Sequence, residues 1–241
     1  MVKRIFVFIL LSFSYSCVYS QNSTDYDKFV AEAGDYLNLY RGTSPLPYKT
    51  LHIGTYYAFS EEFEKGDLYY NGKIYHGVEM NLNSHLDELY VKVPESGRAV
   101  MLNKEFINKF SLGKRNFLLM GKRYEKGAPQ PGFYEILYDG QAKLYKKIRK
   151  VISEKIGSSV NPVTRSKIER RFELVETYYL FKSGVWHKIP RRNSLLMQYR
   201  ENRLDIRRFI RKNSLKSISD VDIIYASIMK FAESSTNAAH E

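Results

Sequence analysis

Three short passages of this chain place a glycine-containing dipeptide between aromatic or aliphatic residues. They are residues 68–75, 134–145 and 178–186, and their dipeptides are Asn71-Gly72, Asp139-Gly140 and Ser183-Gly184. Asn-Gly and Asp-Gly tolerate the positive φ angles that a tight hairpin turn requires. Each passage therefore predicts an antiparallel β-hairpin. The unequal spacing of the three turns argues against a propeller or a solenoid.

Aromatic residues make up 15% of the chain, which contains 20 tyrosines. This enrichment is typical of sheets, in which aromatic side chains pack across neighbouring strands. Further strands are predicted at residues 88–93 and 115–120, and a short helical turn at residues 102–107. Residues 127–132, with two prolines and two glycines, and residues 153–166 are predicted to be loops.

The hydrophobic period changes from Asn193 onward, where apolar residues recur every three or four positions and predict helix. Asn193 or Ser194 would cap the first helix, and a second helix would follow Asp220. We therefore predict an α+β fold, in which an antiparallel β-hairpin meander packs against two or three C-terminal helices. The predicted segments are a signal peptide at 1–20, a β-rich body at 21–190 and a helical segment at 191–241.

The N-terminus has the features of a secretory signal. Two basic residues precede an apolar run at residues 5–13, which is well short of the roughly 20 residues of a membrane-spanning helix. We expect cleavage after Ser20 and a mature protein that is periplasmic or associated with the outer membrane. Acylation of Cys17 is an alternative use of the same segment. If Cys17 leaves with the signal, the mature chain has neither a disulfide nor a catalytic thiol.

Charge is distributed unevenly along the chain. Residues 21–140 contain 14 Lys and Arg against 16 Asp and Glu, whereas residues 141–216 contain 21 against six. Residues 217–241 contain one basic residue against four acidic ones. This asymmetry favours an anionic partner or surface more strongly than a uniform basic excess would.

The candidate docking residues are arginines of the first predicted C-terminal helix. They are Arg200, Arg203, Arg207, Arg208 and Arg211, most of them three or four positions apart, which predicts one cationic stripe beside the apolar one. Guanidinium groups match phosphate and carboxylate oxygens, so this half of the chain is predicted to dock an anionic envelope component or an acidic protein. Peripheral membrane association is compatible with this prediction, and nucleic acid is not an expected partner of an exported chain. A solvated face of a structural helix explains the same pattern without any partner.

Signatures of catalysis are nearly absent from the sequence. The zinc-ligating residue types cluster at His76, Glu79, His85, Asp87 and Glu88, but without a recognised ligand spacing. In a regular strand His76 and Glu79 would point to opposite faces. Neither a Gly-x-Ser-x-Gly elbow nor a phosphate-binding glycine loop occurs. We expect a non-enzymatic protein with no catalytic residue, metal or cofactor; the alternative is a metal-dependent or general acid/base hydrolase centred on His76 and His85.

Adjacent tyrosines raise a further hypothesis, a glycan-binding module that stacks sugars on exposed rings. The pairs are Tyr56-Tyr57, Tyr69-Tyr70 and Tyr178-Tyr179. In a strand the two members of a pair point to opposite sides, so one would be in the core and the other exposed. Ordinary packing across strands explains these pairs without a ligand.

Residues 68–78 and 132–140, with residues 194–196 leading into a basic helix, resemble a family of exported, functionally uncharacterised envelope proteins of Gram-negative bacteria. The resemblance spans most of the mature chain and rests on hairpin motifs. It implies a location in the cell envelope and carries over no activity, ligand or catalytic residue.

Overall fold

The computed structural model of the protein describes residues 39–94, 96–156 and 168–237. The chain divides into two compact units, Met1–Arg41 and Gly42–Glu241, and every element described below belongs to the second unit. The predicted signal peptide and Cys17 lie outside the described residues.

The described part of the chain contains one antiparallel sheet of ten strands and three C-terminal helices. The strands are β1 (Glu64–Tyr70), β2 (Lys73–Asn83), β3 (Glu88–Lys92), β4 (Ala99–Met101), β5 (Ile107–Leu112), β6 (Arg115–Met120), β7 (Gly132–Asp139), β8 (Lys143–Ile156), β9 (Ile168–Lys182) and β10 (Val185–Ile189). The helices are α1 (Arg192–Met197), α2 (Arg203–Lys212) and α3 (Val221–Asn237). The α+β prediction is therefore confirmed in broad outline, with helices that are few and short. The predicted helical turn is a 3-10 helix at Lys104–Phe106.

The sheet consists of two meanders joined side by side. Its order is β10-β9-β8-β7-β6-β5-β1-β2-β3-β4. Strands β1 to β4 form one meander and β5 to β10 form the other, and the two meet where β1 pairs with β5. This junction is antiparallel and sets Leu68 opposite Phe110. The hairpins thus form a single sheet, a point that the sequence had left open.

All three predicted hairpins are present. The Asn71-Gly72 turn has φ angles of 50° and 76°, and the Ser183-Gly184 turn has φ angles of 50° and 78°. Both dipeptides therefore adopt the left-handed pair of conformations that a two-residue hairpin requires. The β7–β8 turn is longer. Glycine is needed at position 140 because Glu233 of α3 comes close to the turn: a Cβ on Gly140 would lie 2.3 Å from Glu233 Oε2.

The prediction of a loop at residues 153–166 is wrong for residues 153–156, which belong to β8. β8 continues to Ile156, which pairs with Ile168 at the start of β9. Polar pairs across the two strands stabilise this extension: Ser153 Oγ donates to Glu173 at 2.7 Å, and Arg170 Nε donates to Glu154 at 2.7 Å. Because these pairs are polar, the segment lacks the alternation of apolar residues by which a strand is recognised in a sequence. Residues 157–167 lie outside the described residues.

The two faces of the β7–β10 region carry different cores. The three helices pack on one face, in a cluster that includes Leu144, Leu180 and Ile228. The opposite face carries a second cluster formed by Met120, Tyr134, Tyr145 and Trp186. Tyr178 and Tyr179 point to these two faces as predicted, since their rings contact Tyr225 at 5.0 Å and Tyr134 at 5.9 Å respectively.

The first predicted C-terminal helix is in fact two helices. α1 ends at Met197 and α2 begins at Arg203. The carbonyl of Gln198, which a continuous helix would pair with an amide one turn later, accepts a hydrogen bond from Lys182 Nζ at 2.6 Å.

The observed helix caps differ from the ones predicted. The N-cap of α1 is Arg191, without a side-chain bond, so the predicted caps Asn193 and Ser194 are wrong and lie inside the helix. Asp220 caps α3, because its Oδ1 accepts from the amides of Asp222 at 2.9 Å and Ile223 at 3.3 Å.

Helix α3 offers a matched test of how much its packing stabilises the fold. Ile228 is fully buried, whereas Ile223 on the same helix is 51% exposed. We expect Ile228→Ala to lower the free energy of unfolding by about 2–5 kcal/mol, because it removes buried methyl groups and leaves a cavity. Ile223→Ala should change that free energy by less than about 1 kcal/mol. Urea denaturation of both variants measures the difference, and equal losses would show that α3 does not hold the sheet.

Candidate anion-docking surface

Helix α2 buries two isoleucines on one side and exposes three arginines on the other. Ile206 and Ile210 are buried one turn apart, and the half-buried Phe209 stacks on Phe231 of α3 with ring centroids 4.3 Å apart. These contacts fix which side of the helix meets solvent. The exposed side carries Arg207, Arg208 and Arg211, which we call the arginine face.

The arginine face has little internal compensation. Arg208 Nη1 lies 3.1 Å from Asp205, and both side chains are exposed. Within the described ranges, neither Arg207 nor Arg211 has an ion-pair partner. Exposed guanidinium groups without a partner lose little hydration in the free protein and are available to an anion.

The other two predicted docking residues are placed differently. Arg200 is exposed, but it lies in the turn between α1 and α2, so the predicted single stripe does not form. Arg203 is half-buried at the start of α2, and its buried Nε has no hydrogen-bond partner among the residues that the structure describes. The structure therefore exposes three of the five arginines together on α2, whereas Arg200 lies outside that helix and Arg203 is only half exposed.

Two basic residues of β8 are internal to the fold. Lys146 of β8 is only 3% exposed, and its Nζ lies 2.9 Å from Glu135, 3.5 Å from Glu176 and in contact with Asp222 of α3. Tyr178 adds a hydrogen bond from its hydroxyl to Asp222 at 2.9 Å. These five residues form the Lys146 network, which connects three strands of the sheet to a helix.

The pKa values of the network follow from its burial and its charges. Burial by itself would lower the pKa of Lys146, but the hydrogen bond to Asp222 and the attraction of Glu135 outweigh it and raise that pKa. Burial raises the pKa of Glu135, and Lys146 offsets this only in part. The lysine is therefore firmly charged, and the buried carboxylate depends on it.

Lys147, the next residue, enters a second cluster on the opposite face. Its Nζ lies 2.5 Å from Asp87 and donates to the carbonyl of Phe133 at 3.1 Å. Asp87 also pairs with Lys104 and accepts from the Phe133 amide at 3.3 Å. Burial lowers the pKa of Lys147. Gly132 is required beside this Asp87 cluster, because a Cβ there would come within 2.3 Å of the Asp87 carboxylate.

Neither cluster is predicted above, although the sequence contains one signal of them. Lys146 and Lys147 are adjacent between the apolar residues Leu144 and Ile148. Adjacent residues of a strand point to opposite faces. If β8 is an interior strand, each face of the sheet therefore receives one of the two lysines.

The zinc-ligating residue types of the predicted cluster are dispersed. His76 pairs with Asp67 at 2.9 Å, and Glu79 pairs with Lys92 at 3.3 Å. His85 contacts the carbonyl of Lys150 through Nδ1 at 2.8 Å, which makes Nδ1 the protonated ring nitrogen. Across the described residues, no group of three or more His, Cys, Asp or Glu side chains is arranged to hold a metal ion.

A β-bulge in β2 changes the side to which His76 points. Asp67 of β1 lies opposite both His76 and Gly77, since Gly66 pairs with Val78 and Leu68 pairs with Tyr75. The extra residue shifts the alternation of β2, so that Tyr75 and Val78 are both buried. His76 and Glu79 therefore share a face, and the prediction that they point to opposite faces is wrong.

The tyrosines of residues 48–57 pack among other rings. Tyr56 and Tyr57 contact each other at 4.4 Å, so the prediction that they face opposite sides is wrong, because they are not part of a regular strand. Phe172 of β9 lies 5.4 Å from Tyr48 and 4.8 Å from His52. The faces of these rings are occupied by one another, which favours packing over stacking with a sugar.

No family model, curated protein or solved structure matches the chain. Among the described helices, none is both long and apolar enough to cross a membrane. The assignment of function therefore depends on the geometry above.

The Lys146 network predicts a pH-dependent defect. We expect Lys146→Met to lower the free energy of unfolding by about 3–5 kcal/mol at pH 7, because it leaves the buried Glu135 carboxylate without its cation. Burial already raises the pKa of Glu135, and without Lys146 to offset it the native state of the variant binds more protons at this carboxyl group than the unfolded chain does. The variant's free energy of unfolding should therefore rise, relative to the unsubstituted protein, as the pH falls from about 7 to about 5.

Lys143→Met on the same strand is the matched control. The Lys143 side chain is 41% exposed, and among the described residues its ion-pair partner is the exposed Asp139, so its loss should cost less than about 1 kcal/mol. Urea denaturation at several pH values measures both variants. The role given to Lys146 would be contradicted if both variants lost the same free energy of unfolding. It would also be contradicted if the loss in Lys146→Met grew as the pH is lowered.

Proposed function

We propose that this chain is an exported, non-enzymatic protein of the cell envelope that docks an anionic partner through the arginine face and the basic residues around it. The partner is an anionic envelope component or an acidic protein. The observation that carries the proposal is the arrangement of α2, whose buried isoleucines hold Arg207, Arg208 and Arg211 together on one exposed side.

Local charge supports the same proposal. Residues 191–216 contain nine Lys and Arg against two Asp and Glu. Several of these cations, including Arg191, Lys212 and Lys216, are exposed. An anion that approaches α2 therefore meets a positive field that extends beyond the three arginines, which accelerates association and makes it sensitive to salt.

The alternatives have weaker support from the described residues. His76 is exposed and paired with Asp67, whereas His85 packs against Phe172 with ring centroids 5.3 Å apart. A hydrolase that used both histidines would need them at one site. A glycan-binding module would need free aromatic faces, and the rings described above mostly contact one another.

The test is recovery of a partner from crosslinked cell envelopes by the mature, tagged protein at low and at high salt. We compare the unsubstituted protein with the triple variant Arg207→Ser, Arg208→Ser, Arg211→Ser. We expect one partner to be recovered at low salt and to be reduced at high salt. The triple variant should bind that partner at least about tenfold more weakly, because three charged contacts are lost.

The matched control removes three exposed cations elsewhere. Lys65, Arg98 and Lys114 are exposed and form no ion pair among the described residues, so their replacement by Ser gives the same change in net charge. This control should retain the partner. Equal recovery by both triple variants, or recovery that salt does not reduce, would refute docking through the arginine face.

A further inference from the structure

A half-open cavity of about 340 Å³ lies where four parts of the fold meet. They are the β7–β8 turn, the β9–β10 hairpin, the turn between α1 and α2, and helix α3. Its volume is at the lower end of the roughly 300–1,000 Å³ of small-molecule sites. The charged residues that line the cavity are Lys182, Arg200, Glu201 and Glu233.

The ammonium group of Lys182 is held in place by neutral groups. Its Nζ donates to the Gln198 carbonyl at 2.6 Å and lies 3.8 Å from the centroid of the Tyr199 ring. Among the described residues, no carboxylate forms an ion pair with it. Lys146 and Lys147, by contrast, are both paired with carboxylates. An ammonium has three donors, so Lys182 retains hydrogen-bonding capacity towards the cavity.

Glu233 forms no ion pair with Lys182, and its oxygens accept hydrogen bonds from other groups. Oε1 accepts from the amide of Ala142 at 2.6 Å. Oε2 accepts from the amide of Gln141 at 3.0 Å and from the hydroxyl of Tyr138 at 2.8 Å. This carboxylate connects α3 to the β7–β8 turn. Burial, together with the hydrogen bond to Glu233, raises the pKa of Tyr138 to about 12.

The second carboxylate of the lining is not paired with Lys182 either. Glu201 is exposed, and no described residue forms an ion pair with it. Burial lowers the pKa of Lys182, and attraction to Glu201 and Glu233 offsets this only in part. Arg200 adds a second, exposed cation to the lining.

We propose that this cavity binds the oxyanion group of a small ligand, a carboxylate or a phosphate, with Lys182 as the principal contact and Arg200 as the second cation. An oxyanion beside Nζ would supply the charge that Gln198 and Tyr199 do not. Charge-assisted hydrogen bonds of this kind are among the stronger ones in proteins. The cavity is distinct from the arginine face, so the proposal does not rest on the docking of an envelope partner.

The test is an NMR titration of the full mature chain with inorganic phosphate and, separately, with succinate, at constant ionic strength. The amides of Ser183 and Gln198, which line the cavity, are the reporters. We expect saturable shifts with at least one probe, and the comparison of the two probes distinguishes a phosphate from a carboxylate ligand. Lys182→Met should weaken binding by roughly tenfold or more, because it removes a charged hydrogen bond.

Three further variants make each result decisive. Met197 lines the cavity and is half exposed, so Met197→Trp should fill the space without disturbing the core and should also weaken binding. Lys143→Met should bind as the unsubstituted protein does. The arginine-face triple variant should also keep full affinity, whatever becomes of its envelope docking.

The proposal is overturned by the absence of saturable shifts with both probes or by unchanged affinity in Lys182→Met. It is also overturned if Met197→Trp binds normally, since the oxyanion would then lie outside the cavity. Loss of binding in the arginine-face variant would assign the oxyanion to that face and would likewise overturn the cavity site.

Discussion

The burial of two adjacent lysines in β8 constrains most of this fold. Lys146 and Lys147 point to opposite faces of an interior strand, and each must find a carboxylate there. Removing one partner of a buried ion pair costs several kcal/mol. Lys146 therefore depends on Asp222 of α3, and Lys147 depends on Asp87 of the β2–β3 turn. Both the helical layer and the first meander are tied to one strand.

This constraint accounts for part of the charge asymmetry of the chain. Two lysines of the basic middle segment receive counter-charges from the two acidic segments, through Asp87 and Glu135 on one side and Asp222 on the other. Lys146 and Lys147 are therefore paired within the fold. Three exposed arginines of α2 lie together on one side of their helix, so the candidate surface is smaller than the charge count alone implies.

The turns, caps and breaks show which local signals are reliable. Asn71-Gly72 and Ser183-Gly184 determine their hairpins because their backbone conformations are unfavourable for most other residues. The start of α3 is predictable for a similar reason, since the Asp220 side chain accepts from free amides within the first turn of the helix. The break between α1 and α2 is different. Lys182 donates to the Gln198 carbonyl from 16 residues away, and the sequence around Gln198 does not indicate this bond.

The sequence by itself determined the hairpins, the onset of α3 and the amphipathic character of α2, because these depend on residues close together along the chain. Only the tertiary structure decided which cations are free. Lys146 and Arg207 are both long basic side chains, and nothing local distinguishes them. The difference is that Lys146 meets carboxylates from β7, β9 and α3, whereas the packing of Ile206 and Ile210 turns Arg207 towards solvent.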